Sequence, residues 1–305
     1  MGLNEKFFKS ADSVINPRDH FNTVLFTGNN STNVITTVGF QPDLSWFKNR
    51  QAGNSHALVD SLRGRSKVLF SDSDTADTIS DSNKDLVSFD TNGFTLGAVQ
   101  RANSFNKVDA ANNIVAWNWY APTSQTIGAS GSRLASTIKK NVTAGFSIVN
   151  YTGGGGAATV GHGLNSAPEM YIVKSRGHQT SWYTYHIGLD ASSPEDYNVR
   201  LNETSARQDS ASYWNDTAPT SSEFSIGTTT GISQSSTDFI TYCFHSVEGY
   251  SKIGSYSGNG TNQTIDVGFT PQFVMIKNST QTSAYASWIM FDSKRLVAYN
   301  DTNPL

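Results

Sequence analysis

Large apolar residues alternate with smaller or polar ones in short runs, and the runs recur. Ile114-Val115-Ala116-Trp117-Asn118-Trp119 and Phe239-Ile240-Thr241-Tyr242-Cys243-Phe244 carry a period of two, which predicts strands with one buried face. Leu44-Ser45-Trp46-Phe47, Met170-Tyr171-Ile172-Val173 and Phe273-Val274-Met275-Ile276 are shorter apolar runs, opened by Pro42, Pro168 and Pro271. A proline at a strand's start costs least, because its missing N–H is not needed there. No amphipathic stretch of helical period exceeds two turns, so an all-β fold is expected.

The runs belong to an internal repeat. Phe26-Thr27-Gly28-Asn29, Tyr151-Thr152-Gly153-Gly154 and Tyr256-Ser257-Gly258-Asn259 open three copies. Val38-Gly39-Phe40-Gln41-Pro42 and Val267-Gly268-Phe269-Thr270-Pro271 match, while the second copy has Gly161-His162-Gly163-Leu164 ahead of Pro168. Lys48, Lys174 and Lys277 each lie six residues beyond the proline (48−42, 174−168, 277−271). Residues 56–60 then align with 182–186 and 288–292, and Asn92-Gly93-Phe94-Thr95-Leu96-Gly97 parallels Ser222-Glu223-Phe224-Ser225-Ile226-Gly227. Short strands with Gly, Asn and Ser turns in units of about 100 residues predict a sandwich or a barrel for each unit; the expected architecture is tandem β-sandwiches of jelly-roll type, units that can stack end to end into a rod.

The expected division is an N-terminal arm over residues 1–21, a first repeat over 22–122, a linker plus second repeat over 123–248, and the start of a third over 249–305. Ala121 to Gly131 reads as an exposed connector, being rich in Pro, Ser, Thr and Gly. The third copy lacks the Phe-x-Leu-Gly turn and the final aromatic strand. Half a sandwich exposes unpaired edges. Either the chain is the front part of a longer polypeptide, the favoured reading, or a neighbouring subunit completes it. In the arm, Phe7 and Phe8 are candidates for anchoring to another subunit, or for covering the first repeat's own edge.

Composition narrows the function classes. Of the 305 residues, 15% are charged and the net charge is −3, which argues against a nucleic-acid scaffold with its basic stripe. The run from Arg63 to Lys67 reads as a solvated turn. No apolar run approaches the ~18 residues of a membrane span, and residues 1–20 hold no secretory h-region. Cys243, the only cysteine, sits in an apolar strand and reads as a buried, inert thiol.

Candidate chemistry is sparse. The six histidines include no His-Glu-x-x-His, and Gly153-Gly154-Gly155-Gly156 lacks the Gly-Lys-Ser/Thr end of a phosphate loop, reading instead as a flexible hairpin turn. Asp72, Asp74 and Asp77 are a Ca²⁺ candidate set, with oxygen ligands at near-alternate positions; the other reading is a solvated loop. Trp46, Trp117, Trp119, Trp182, Trp214 and Trp288 are candidate sugar-stacking platforms, although most alternate in strands as core residues do. No catalytic residue, cofactor or enzyme activity is called for.

Met1-Gly2-Leu3-Asn4-Glu5-Lys6-Phe7-Phe8, the Phe/Tyr-Thr-Gly openings, Val-Gly-Phe-x-Pro and Asn-Gly-Phe-x-Leu-Gly together resemble a repeat family in virion proteins of tailed phages, especially those of marine bacteria. The likeness covers nearly the whole chain, with the second copy departing from the pattern before Pro168. It implies concanavalin-like sandwiches and a structural role as a tail fibre or fibre-like appendage; capsid decoration, a carbohydrate-binding adhesin and, last, a polysaccharide-degrading enzyme stand beside that expectation as alternatives. It also implies a virion location, with homo-oligomerisation as a trimer. The implied partners are other virion proteins and host surface glycans, with neither nucleic acid nor a membrane. It carries over no catalytic residue.

Overall fold

The computed structural model describes residues 15–81, 83–98, 105–107 and 113–296. Phe7 and Phe8, and with them the anchoring reading, lie outside the described residues.

The first copy runs through β1 (Phe21–Phe26), β2 (Asn33–Ile35), β3 (Leu44–Asn49), β4 (Ala57–Asp60), β5 (Lys67–Phe70), β6 (Thr78–Ile79), β7 (Leu86–Asp90), β8 (Gly93–Leu96) and β9 (Ile114–Trp119). A six-stranded sheet, β1-β9-β3-β4-β5-β6, faces a small one, β2-β8-β7. Phe26, Phe47, Val59, Ile114 and Ala116 from the large sheet meet Ile35, Leu86, Phe94 and Leu96 from the small one.

The second copy repeats this plan. It comprises β10 (Thr123–Ile127), β11 (Arg133–Leu134), β12 (Ser136–Asn141), β13 (Phe146–Thr152), β14 (Ala158–Gly161), β15 (Met170–Ser175), β16 (Tyr183–His186), β17 (Tyr197–Arg200), β18 (Gln208–Asp209), β19 (Glu223–Ile226) and β20 (Asp238–Phe244). Its large sheet has the order β10-β12-β13-β20-β15-β16-β17-β18 and its small one β11-β14-β19. Tyr151, Tyr171, Val173 and Phe239 pack against Val160, Phe224 and Ile226 between them. The third copy contributes the hairpin of β21 (Phe273–Ile276) and β22 (Ile289–Asp292).

Strands β3, β15 and β21 hold equivalent places. β3 lies between β4 and β9, and β15 between β16 and β20, with Leu44 opposite Trp119 and Met170 opposite Phe244. β21 pairs with β22 alone among the described residues. The segment leading to it, residues 254–271, has no strand and is mostly exposed. Phe40 is 6% exposed in the first copy, whereas its counterpart Phe269 is only half-buried.

The aromatic strands are buried on both faces, not one. Ile114 and Ala116 enter the first copy's own core, while Val115, Trp117 and Trp119 enter a second cluster. That cluster joins Trp46, Leu58 and the three β9 residues to Phe146, Ile148, Ile172, Ile240 and Tyr242 of the second copy. Phe273, Met275, Trp288 and Met290 of the third pack against it. The Phe273 ring lies 5.4, 5.9 and 5.8 Å from Phe21, Trp117 and Trp119. The copies are therefore gathered around one shared core instead of being strung end to end.

Three local expectations are corrected. Residues 123–127 of the expected connector form β10, an edge strand on β12 whose mostly exposed side chains resemble a linker's. The four glycines lead from β13 to β14, in a different sheet, so they do not form a hairpin. Gly153 donates its N–H to the Thr237 carbonyl at 2.8 Å, and a Cβ there would sit 2.3 Å from the Gln234 carbonyl oxygen; the close approach demands glycine. Arg63, expected in a solvated turn, is buried, because Asp60 and Asp77 neutralise it in place.

Candidate functional site

The loop following β5 joins the first copy to the second. The carbonyls of Phe70 and Ser73 accept from Trp182 Nε1 at 2.9 and 3.0 Å, and that of Asp74 accepts from Lys174 Nζ at 3.0 Å. Asp77 N–H donates to the Arg176 carbonyl at 3.1 Å. Asp77 also places one carboxylate oxygen 2.7 Å from Arg63 and the other 2.9 Å from Arg176.

The same seam recurs between the second and third copies. The Arg200 carbonyl accepts from Trp288 Nε1 at 3.1 Å, and the Glu203 carbonyl accepts from Lys277 Nζ at 3.2 Å. Arg207 N–H donates to the Ser279 carbonyl at 2.8 Å. Trp288, Lys277 and Ser279 are the counterparts of Trp182, Lys174 and Arg176. Burial lowers the pKa of Lys48, Lys174 and Lys277 alike, Lys174 to about 8.

A second set of contacts runs the same way around the core. Asp60 accepts from Tyr242 Oη of the second copy at 2.7 Å, and Asp292 accepts from Trp117 Nε1 of the first at 3.1 Å. Tyr242 and Trp117 are equivalent, on β20 and β9. Each aspartate is held by an arginine three residues on: Arg63 Nε and Arg295 Nε, both at 2.5 Å. Burial alone would lower the Arg63 pKa, but Asp60, Tyr242 and Asp77 more than offset that and leave it raised. Arg295 also lies over the Trp117 ring, 5.1 Å from its centroid. The first copy thus meets the second, the second the third and the third the first.

Where they converge is a cavity of about 160 Å³. It is lined by Trp46, His56 and Asp72 of the first copy, Asn202 and Glu203 of the second, and Met275 and Trp288 of the third, among others. The His56 ring stacks on Trp117 at 6.3 Å, with 9° between planes. Burial, then the Lys48 charge, pushes its pKa down to about 4 against the opposing pull of Asp72, so the imidazole is neutral near pH 7. His56 N–H donates to Asp72 Oδ1 at 3.1 Å, as Trp182 N–H does to Asn202 Oδ1 at 2.9 Å.

The three aspartates proposed for Ca²⁺ are given other partners. Asp72 takes the His56 amide, Asp74 takes Gln179 Nε2 at 2.9 Å, and Asp77 bridges two arginines. Among the described residues no three His, Cys, Asp or Glu side chains gather as a metal set. Trp46, Trp117, Trp119, Trp182 and Trp214 are buried and offer no face to a sugar; Trp288 is half-buried at the junction. Ser175 Oγ lies 2.7 Å from His178 Nδ1, but it also accepts the His178 N–H at 3.3 Å, which is the geometry of a tight turn. Cys243 is buried, and burial pushes its thiol pKa up. Arg63, Asp292 and the seam lysines have no counterpart in the sequence-based site. Their signal was the recurrence of Asp60-Ser61-Leu62-Arg63 as Asp292-Ser293-Lys294-Arg295.

A family model described as a domain of unknown function, DUF7483, matches residues 16–304. The chain belongs to that family. The DUF7483 match runs through all three copies, as the shared core does, so the family's unit is larger than one copy. No curated protein and no solved structure gives a significant match.

Proposed function

We propose that this chain is a non-enzymatic structural protein of a tailed-phage virion, built from tandem concanavalin-like or jelly-roll sandwiches and placed in a fibre-like appendage. One observation carries the reading. The most distinctive side chains of the repeat, its aromatic strands and the aspartates of its Asp–Arg pairs, are buried in holding the copies to one another. A chain that commits them to internal cohesion is suited to a mechanical role. The resemblance to virion repeat proteins supplies the setting, with other copies in a homotrimer and neighbouring virion proteins as partners. Host glycans would have to meet exposed aromatics such as Tyr285, 93% exposed, because most of the tryptophans are enclosed.

The test is mass spectrometry and cryo-electron microscopy of purified particles from cells making this protein. Peptides at a fixed ratio to the major virion proteins, with density on the tail, are expected. Density on the head would move the protein to the decoration reading. Protein left wholly in the particle-free fraction would refute a virion role.

A further inference from the structure

One carboxylate is matched in the first two copies but filled only in the first. Pro42-Asp43 and Pro168-Glu169 are equivalent, and the Asp43 and Glu169 N–H groups donate alike to the Trp119 and Phe244 carbonyls at 2.8 Å. Each carboxylate then holds the residue two beyond that carbonyl. Asp43 Oδ2 accepts from Ala121 N–H at 2.7 Å, and Glu169 Oε2 accepts from Ser246 N–H at 2.8 Å. The other oxygen sets them apart. Asp43 Oδ1 lies 2.8 Å from Lys139 Nζ of the second copy and accepts from Ser61 Oγ at 2.6 Å. Glu169 Oε1 has no partner among the described residues, and Ile187, 42% exposed, stands where Ser61 does. The first copy thus shows what this position takes when it is filled: the cationic side chain of a neighbouring unit.

Glu169 lines a cavity of about 470 Å³ on the second copy, inside the range of roughly 300–1,000 Å³ typical of ligand pockets. Pro168, Ile187, Pro194 and Pro219 give it apolar walls, and Tyr185 and Glu195 line it as further hydrogen-bonding groups. Its frame is fixed. The Tyr185 ring stacks on Tyr171 at 4.7 Å and meets Trp214 edge-on at 6.4 Å. Asp190 accepts from Ser192 and Ser193 N–H at 2.9 and 3.3 Å and pairs with Arg207 at 3.2 Å. Tyr185 is only 2% exposed, yet its hydroxyl has no hydrogen-bond partner among the described residues, which a buried polar group seldom lacks. Burial, then the Glu195 and Glu169 charges, hold its pKa above the usual value, so the hydroxyl feels both carboxylates. The acidic field continues past the pocket. Local desolvation, then Asp216, Glu195, Asp209 and Asp190, raise the pKa of Asp196. Arg207, on Asp190, is the one cation paired within this group among the described residues.

The occupant must carry a positive charge, but not as a point. Among the described residues no three His, Cys, Asp or Glu side chains gather as a metal set, so these carboxylates do not converge on one ion. A guanidinium spreads five N–H donors over a plane, and its aliphatic stem packs on apolar walls. We propose that the pocket takes an arginine side chain from a basic segment of a partner protein, its guanidinium shared among Glu169 Oε1, Glu195 and the Tyr185 hydroxyl. Further basic residues of that segment meet Asp209 and Asp216, which extend the same field over the surface. The pocket is built wholly from the second copy, and the inference does not depend on the virion reading.

Titration of the 305-residue protein followed by amide NMR tests it. The probe is acetyl-Gly-Arg-Gly-amide, with acetyl-Gly-Lys-Gly-amide beside it. The arginine peptide is expected to bind saturably, to shift the amides of Glu169, Tyr185, Ile187 and Glu195, and to bind about fivefold more tightly than the lysine peptide. Glu169→Gln and Glu195→Gln should each weaken it about fivefold or more. Tyr185→Phe removes a hydroxyl that holds nothing in the fold, and should weaken binding about threefold with Tm unchanged. Asp209→Asn and Asp216→Asn, outside the pocket, should each change this affinity less than about twofold. Acetyl-Gly-Arg-Gly-Arg-Gly-Arg-Gly-amide should bind about tenfold more tightly than the single-arginine peptide, a gain that those two variants remove. No saturable binding, or shifts centred elsewhere, would overturn the proposal. So would an equal loss in Asp216→Asn and Glu195→Gln, because a diffuse acidic field would then suffice. Equal binding of the lysine peptide would overturn the arginine assignment. Equal binding of the two arginine peptides would overturn the protein segment in favour of a small guanidinium compound.

Discussion

Replacing Arg63 by alanine should be among the most damaging single changes in the molecule. Its side chain is fully buried, with Asp60 at 2.5 Å and Asp77 at 2.7 Å. It also donates to the Leu58 carbonyl at 3.0 Å and to Tyr242 Oη at 3.3 Å. Removing the cation leaves Asp60 fully buried, with the Tyr242 hydroxyl and backbone donors alone against its charge. Breaking a buried pair in this way costs about 3–5 kcal/mol, because the remaining charge is desolvated and uncompensated. With an unfolding entropy of about 2.1 cal/mol/K per residue over the whole chain, 4 kcal/mol lowers Tm by roughly 6 °C. Arg63→Lys keeps the charge but loses the fork that grips Asp60 and Asp77 together, and should recover only part of the loss.

Arg295→Ala provides the internal control. The Asp-Ser-x-Arg motif and the 2.5 Å pair are the same, but the Arg295 side chain is 26% exposed. The Asp292 carboxylate left behind is itself buried, but truncating a partly exposed arginine opens a path for water to it and Trp117 Nε1 still donates to it, so a smaller loss of about 1–2 kcal/mol is expected. Urea unfolding by linear extrapolation, with the m-value checked for constancy, gives both numbers. A loss below about 1 kcal/mol for Arg63→Ala, or an equal loss for Arg295→Ala, would refute the argument that burial of the first seam sets the difference.

Two further perturbations test other parts of the structure. His162 is buried; its Nδ1 accepts from Leu164 N–H and its Nε2 lies 3.1 Å from the Thr220 carbonyl, so it is held neutral, with burial pushing its pKa down to about 4. Between pH 6.5 and 4 the unfolded chain binds a proton there that the folded chain does not. Its contribution is complete above about pH 6.5 and is lost on acidification, about 2–3 kcal/mol by pH 4; urea midpoints across that window should fall less steeply in His162→Gln. Trp182→Phe leaves the Phe70 and Ser73 carbonyls without their indole donor, and should cost about 1–3 kcal/mol. Faster amide exchange at residues 70–77 should accompany it, and unchanged exchange there would show that the indole does not hold the loop.

The repeat was legible because Pro-to-Lys spacing and strand patterns survive divergence, and β3, β15 and β21 fall where the apolar runs predict. The shared core was legible in principle. In Ile114–Trp119 both parities are apolar, Ile and Ala on one and Val, Trp and Trp on the other, which is the pattern of a strand covered on both faces. Strand β10 was hidden because an edge strand needs only its backbone paired, and Thr-Ser-Gln-Thr resembles a linker. Arg63 was hidden for a different reason. A short basic run is usually solvated, and nothing local to residues 60–67 reveals that Asp77 and Tyr242 come to meet it. The seam lysines were visible as register marks, but a lysine inside an apolar run also signals that its ammonium must find carbonyls.

Three copies in one chain can differ from one another, which three copies of one subunit cannot. The seam lysine is kept, but the ring residue is His56, Trp182 or Trp288, and the equivalent strand-end residue is Asp60, His186 or Asp292, of which Asp60 and Asp292 meet another copy. Asp60 and Asp292 are acceptors, matched to the Tyr242 hydroxyl and the Trp117 N–H. His186 accepts from Gly188 N–H at Nδ1, 2.9 Å away, so its Nε2–H is a donor. Docked on the wrong neighbour, it would set N–H against N–H at Trp117, which is a penalty and not merely a lost contact. The polar matches therefore specify the cyclic order of the copies, while the apolar cluster drives their association. Asp292→His recreates the mismatch at a seam that is present. It should destabilise more than Asp292→Leu, which removes the acceptor without opposing donors, when both are measured in an Arg295→Met background that removes the unpaired cation. If the two are equal, the apolar cluster sets the order by shape alone.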